Sequence, residues 1–202
     1  MYKNHALPSS LKTLGFHGSY QPEDVTFLLN IDEIDPTPVA EKEYLIQSGK
    51  KHYSQMISVE HPPSDEQMRH FEYAFEQGAE RLASDVQKIG NSLRNRFKNQ
   101  PIILVSLVRA GVPLGVLLKH YIEKHQQCVH YGISIIRDRG IDIAALHAII
   151  GQHGAENIVF VDGWTGKGAI CRELTQNLAD YPALFDPGWD IPRLVTLADL
   201  GG

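Results

Sequence analysis

The chain has 202 residues, 43% of them hydrophobic and 21% charged, and its 19 Lys and Arg against 24 Asp and Glu leave a net charge of −5. So high an apolar fraction with so little net charge excludes a disordered chain, and the length suits one ordinary domain with an appendage. A pI near 6.0 speaks against non-specific duplex binding. It leaves room for a phosphorylated small molecule, which a few local cations and backbone amides can hold.

Cys128 and Cys171 are the only cysteines, so no disulfide framework is available and no Cys-x-x-Cys occurs. Reduced thiols are expected. Residues 1–10 lack the basic-then-apolar order of a signal peptide, and the longest apolar stretch, residues 101–108, is too short to span a membrane. The expectation is a cytoplasmic protein with neither a membrane nor a nucleic-acid partner.

In chain order, residues 21–29 read as a short helix, with Pro22 suited to a first turn and Glu23 and Asp24 to a helix N-terminus. Residues 31–38 (IDEIDPTP) read as turn and linker, and residues 50–60 receive no assignment. His61-Pro62-Pro63-Ser64 is a boundary, and Ser64 with Gln67 forms a capping-box pattern. Apolar residues then recur at Met68, Phe71, Phe75, Ala79, Leu82, Val86, Ile89, Leu93 and Phe97, which predicts one long helix.

From residue 101 the pattern alternates. Strands are expected at Ile102–Val108, Cys128–Ile136, 158–161 and 194–198, and helices at 112–124, 141–153 and 168–179. Continuous apolar strands alternating with helices predict an α/β fold, a parallel sheet flanked by helices. Ligands of such sheets sit beyond the C-terminal strand ends, so the residues just after each strand are the candidates.

After the third of these strands comes Asp162-Gly163-Trp164-Thr165-Gly166-Lys167-Gly168, then a helix. An acid at a strand end can accept hydrogen bonds from hydroxyls, and Thr and Gly let backbone amides approach a phosphate at a helix N-terminus. Lys167 adds a point charge. The bland alternative is a tight strand-to-helix turn. A Walker A loop and the dinucleotide fingerprint both fail on spacing. After the first strand, Arg109-Ala110-Gly111 offers a guanidinium and a close-approach glycine. After the second, Arg137-Asp138-Arg139-Gly140 reads as a mobile loop that could close over a polyanion, with Asp142 capping the next helix.

These residues carry a resemblance. Residues 104–111 (LVSLVRAG) resemble the diphosphate-binding loop of type I phosphoribosyltransferases, and residues 158–168 (IVFVDGWTGKG) resemble their phosphoribosyl-diphosphate (PRPP) motif. Segments 16–20, 52–56, 104–111, 130–142 and 160–170 are similar to one such family from tellurite-resistance and stress operons, also called the cysteine protease StiP family. The resemblance implies a type I phosphoribosyltransferase-like α/β domain over residues 63–202, with residues 1–62 as an N-terminal extension or hood. Family members are longer, so a further C-terminal domain is expected.

By the same resemblance, Asp162 would hold the ribose hydroxyls and Mg²⁺. Thr165, Gly166, Lys167 and Gly168 would hold the 5′-phosphate, with Gly163 and Trp164 in the same loop. Arg109, Ala110 and Gly111 would hold the diphosphate, and Arg137 and Arg139 would close over it. The implied reaction passes the phosphoribosyl group to a nitrogenous base; a homodimer is one option for the assembly, which the sequence leaves open. Gly163 departs from the family pattern, which has a second acid there. Within the hood, Tyr53, Met56 and Glu60 are candidates for the base pocket.

Two other readings stand beside this one. The first is a non-catalytic nucleotide- or PRPP-binding sensor in a stress response, which Gly163 favours. The second, with the least support, is a cysteine peptidase. Cys171 would lie in the first turns of a helix, where a thiol can be activated, and Cys128 lies two residues from His130, but no local protease signature surrounds either. The ten histidines show no i, i+4 ligand pair.

Overall fold

The computed structural model describes residues 15–199. The segments read above for a leader (1–10) and for the chain's last residues (200–202) lie outside them. Strands are β1 (Thr26–Phe27), β2 (Ile102–Val108), β3 (Cys128–Ile136), β4 (Gly140–Ile141), β5 (Ile158–Thr165) and β6 (Leu194–Asp199). Helices are α1 (Val39–Gln47), α2 (Asp65–Arg96), α3 (Gly111–Ile122), α4 (Ile143–His153) and α5 (Ala169–Asn177). The six-stranded sheet runs β1-β3-β2-β5-β6, all parallel, and β4 adds antiparallel to the end of β3. This is the α/β architecture that the alternating pattern predicts. No helix among the described residues is long and apolar enough to cross a membrane.

Two compact units divide the chain, residues 15–29 with 82–199 and residues 30–81. In the second, α1 has no buried residue, Thr37 N–H donates to Ile57 O at 2.8 Å, and Met56 is the one buried side chain. Tyr53 and Glu60 are exposed. The Ser64–Gln67 capping box forms as expected: Gln67 N–H donates to Ser64 Oγ at 3.2 Å, and Ser64 N–H to Gln67 Oε1 at 2.7 Å. The apolar stripe of α2 is buried only in its later part, at Val86, Gly90 and Leu93, while Met68, Phe71 and Phe75 are exposed.

In the first unit, β2 is the central strand, buried on both faces. Alternation along it sorts the core. Ile103, Val105 and Leu107 pack with Leu146 and Ile149 of α4 and Leu174 of α5. Ile102 and Leu104 face the other way, with Val86 and Leu93 of α2 and Leu114 and Leu118 of α3.

Three readings change. Residues 21–29 form turns and then β1 rather than a helix, because Val25 and Phe27 bury against α3 and the edge of β3. Residues 137–139, read as a loop, form a tight hairpin turn into β4: Ile136 pairs with Gly140, and Arg139 N–H donates to Ile136 O at 3.0 Å. β5 continues four residues past Val161 because β6 pairs alongside it, Asp162 with Thr196 and Trp164 with Ala198.

A buried polar chain runs between the sheet and α3. His130 is 2% exposed; its Nδ1 lies 2.9 Å from Asp24 O and its Nε2 lies 2.7 Å from Ser106 Oγ. Ser106 Oγ in turn reaches Gly111 O at 3.0 Å. Because Nδ1 faces a carbonyl, it carries the imidazole proton, and Nε2 accepts. The single hydroxyl proton of Ser106 then serves either Nε2 or Gly111 O. A charged imidazole would fill all three contacts, yet burial and the neighbouring Lys119 hold the His130 pKa down at about 4. The groups facing it are Lys119, itself paired with Glu123, and Asp24, whose carboxylate His120 meets at 2.6 Å. Gly115 of α3 makes room, since a Cβ there would stand 2.3 Å from both His130 Nε2 and Ser106 Oγ.

On the far edge, Arg193 ties the segment before β6 to the sheet. Its guanidinium donates to Ile158 O (2.8 Å), Phe185 O (3.1 Å), Ala155 O (2.7 Å) and Ala183 O (2.6 Å). Its Nη1 also lies 3.6 Å from Asp186, which pairs with Arg96 as well.

Arg193→Met leaves these part-buried carbonyls without their donor. It is expected to cost about 3–5 kcal/mol, read as a lower urea midpoint. The His130 imidazole, depressed from 6.5 to about 4, stays neutral in the fold while the unfolded chain protonates. Its contribution is therefore complete above pH 6.5 and lost as pH falls toward 4, by roughly 3 kcal/mol. His130→Gln should flatten that part of the stability–pH curve; an unchanged slope would assign it to other groups.

Candidate functional site

The C-terminal ends of β2, β3 and β5 carry the residues that the sequence singles out. The turn after β2 holds Arg109, Ala110 and Gly111, with a cis Val108–Arg109 peptide, and leads straight into α3. That turn lies directly on the backbone of β5. A Cβ on Gly111 would stand 2.0 Å from Val161 O, and one on Gly163 would stand 2.6 Å from Ala110 O. Both neighbours are backbone, so glycine is required at each position. Gly163 in particular has no room for the acid that phosphoribosyltransferases carry there.

Asp162 is 8% exposed and its carboxyl is pushed up by burial, with the Gly163 N–H, 2.8 Å from Oδ1, acting against the shift. A divalent cation would find one carboxylate here. Among the described residues no group of three His, Cys, Asp or Glu side chains is placed to hold a metal ion.

Beyond Asp162, Trp164 is 60% exposed within β5, and Thr165 ends the strand opposite Asp199. The loop proper is residues 166–168. Gly166 and Lys167 are exposed, and Gly168, at φ 69°, precedes α5 in the left-handed conformation that glycine tolerates. Arg172 reaches back to Lys167 O at 2.7 Å.

Arg137 and Arg139 are exposed on the hairpin between β3 and β4. That hairpin is braced on α5: Asp138 N–H donates to Glu173 Oε2 at 3.1 Å, and a Cβ on Gly140 would stand 2.0 Å from Asn177 Oδ1. Asp142 caps α4, accepting from Ala145 N–H at 2.9 Å, as its position predicts. Thus Ala110, Gly111, Asp162 and Gly163 form one packed cluster, while the two hairpin arginines are positioned through α5.

The two thiols differ sharply. Cys128 is buried at the start of β3, and burial pushes its pKa up to about 12. Cys171 is half-buried in the first turn of α5, whose earliest helical bond runs from Arg172 N–H to Gly168 O at 2.9 Å. The amides of residues 169–171 therefore have no partner within the helix and face the loop side. The sequence reading missed the His130–Ser106 pair. Its signal was present as two polar residues inside strands that otherwise read as buried, Ser106 in IILVSLV and His130 in CVHYGISII.

Comparison with known proteins now bears on this edge. Residues 18–202 match the family described as "Tellurite-like stress resistance cysteine protease StiP". A protein of Acinetobacter baylyi (strain ATCC 33305 / BD413 / ADP1) named "Cysteine protease StiP" is 58% identical over 189 residues, covering 93% of this chain and 48% of that protein. The chain thus spans about half the length of the curated relative it matches. These matches correct the expected activity: both names are those of a cysteine protease, and neither names phosphoribosyl transfer. The PRPP-dependent transferase and its nucleotide-sensor alternative are set aside. On the extent of the match the chain belongs to the StiP family.

Proposed function

We propose that this chain is the thiol-bearing α/β part of a cysteine peptidase acting in stress resistance, with Cys171 as nucleophile. One observation carries the residue assignment: of the two thiols, only Cys171 is accessible, and it lies in the first turn of a helix at the C-terminal strand ends of the sheet. The thiolate is the nucleophilic form, and a helix N-terminus favours negative charge. Cys128 lacks both features, being buried with a raised pKa.

The chemistry follows from that placement. The Cys171 thiolate attacks a peptide carbonyl, forming the C–S bond as the carbonyl π pair moves onto oxygen. The amides of residues 169–171, without partners inside the helix, would hold that oxyanion. Collapse expels the amine, which takes up a proton, and water then hydrolyses the thioester. Among the described residues no histidine is hydrogen-bonded to Cys171. The base would then come from a residue outside those described.

Cys171→Ser is expected to lower kcat/KM for peptide hydrolysis by at least ~10³-fold, and Cys128→Ser to leave it within about twofold. Mass-spectrometric detection of products from a peptide mixture checks this. Hydrolysis that survives Cys171→Ser in a variant with an unchanged urea midpoint would overturn the assignment.

A further inference from the structure

An open cavity of about 490 Å³ lies between α5 and the segment before β6. Its α5 wall is Thr175, one turn along the same helix row from Cys171, about 6 Å away along the axis. Its opposite wall is a short hairpin. Trp189 N–H donates to Asp186 O at 3.0 Å, with Pro187 and Gly188 (φ 81°) between them, the arrangement of a type II turn. Phe185 bridges Pro192, and Arg193 holds the base through Phe185 O, Ala183 O and Asp186. The hairpin is therefore set in place before any ligand arrives.

The chemistry of the walls is specific. Trp189, 64% exposed, is one of the residues that line the cavity. Asp186 is spent on Arg96 and Arg193, but Asp190 makes no ion pair or hydrogen bond among the described residues. Thr175 Oγ1 is buried from solvent and has no hydrogen-bond partner. Between residues 175 and 191 the sequence holds Asp180, Asp186 and Asp190 and no Lys or Arg. An aromatic face beside an uncompensated carboxylate suits a cation, and a flat guanidinium better than an ammonium, because it stacks on indole and pairs with carboxylate together.

We propose that this cavity binds the basic side chain, arginine above lysine, of a peptide presented to Cys171. Its role as a substrate subsite rests on the peptidase reading, whereas the binding itself does not. One extended residue spans about 3.4 Å, so a side chain one or two residues from the scissile bond reaches the cavity while its carbonyl faces the thiol.

The test is an NMR titration of the full chain with blocked tripeptides that carry Arg, Lys, norleucine or Phe at the centre. The readout is the indole N–H resonance of Trp189, assigned with Trp189→Phe. The expected result is saturable movement of that resonance, with Arg binding at least tenfold more tightly than norleucine. Asp190→Asn should remove most of that difference, and Cys171→Ser should leave binding unchanged. Equal binding of norleucine or Phe, or a Trp189 signal that does not move with the Arg peptide, would overturn the proposal. The two readings separate cleanly. Arg-selective binding together with hydrolysis that survives Cys171→Ser sinks the peptidase assignment and keeps the cavity assignment, and Cys171-dependent hydrolysis without basic preference does the reverse.

Discussion

The first turn of α3 lies on the backbone of β5 with no space for a side chain between them, and much of this edge of the sheet follows from that contact. Gly111 and Gly163 make it possible from the two sides, each facing a carbonyl of the other segment. Beneath it, Ser106 reaches the Gly111 carbonyl, and Gly115 leaves room for His130. The result is a helix seated by backbone contact and a buried polar chain rather than by apolar packing alone. Such a seat is intolerant of added volume, because the atoms that would have to move are main chain.

The opposite side of the edge is built differently. α5 is short and has one fully buried residue, Leu174, so its own packing does not fix it firmly. Its supports come from two hairpins. The β3–β4 turn bonds Glu173, and Asn177 fills the space that Gly140 leaves. On the other flank, Phe185 packs near the core that α5 shares, and Arg193 anchors the segment that carries it. A helix held from both sides can present a thiol and a side-chain cavity in fixed register along one row, which is what positioned chemistry requires.

The residues that carry the resemblance to phosphoribosyltransferases form a short local pattern. An acid at a strand end followed by Thr, Gly and a helix makes a polar, amide-rich edge, and such an edge can serve phosphate or a developing oxyanion equally well. Fold and edge do not by themselves choose the reaction. At this edge Gly163 leaves no room for a second acid beside Ala110, and β5 runs on to Thr165 beside β6. The motif is thus largely strand and the loop only residues 166–168, while the family match carries a different chemistry.

Sequence alone determined the central sheet, because β2, β3, α4 and the capped start of α2 are written in short-range terms: continuous apolar runs, helical spacing, and Ser64 three residues before Gln67. It also gathered the candidate residues on one edge, since the strand ends of a parallel sheet lie together whatever the side chains are. Tertiary structure alone decided which polar residues meet. His130 finds Ser106 across two strands and Asp24 from a segment 106 positions away, and no spacing rule encodes that. The stripe of α2 reads the same at Phe71 and at Leu93, yet only the second is buried, because periodicity names a face without naming what covers it. The two cysteines are alike as letters; one is buried in a strand with its pKa raised, and the other lies half-buried in a helix's first turn.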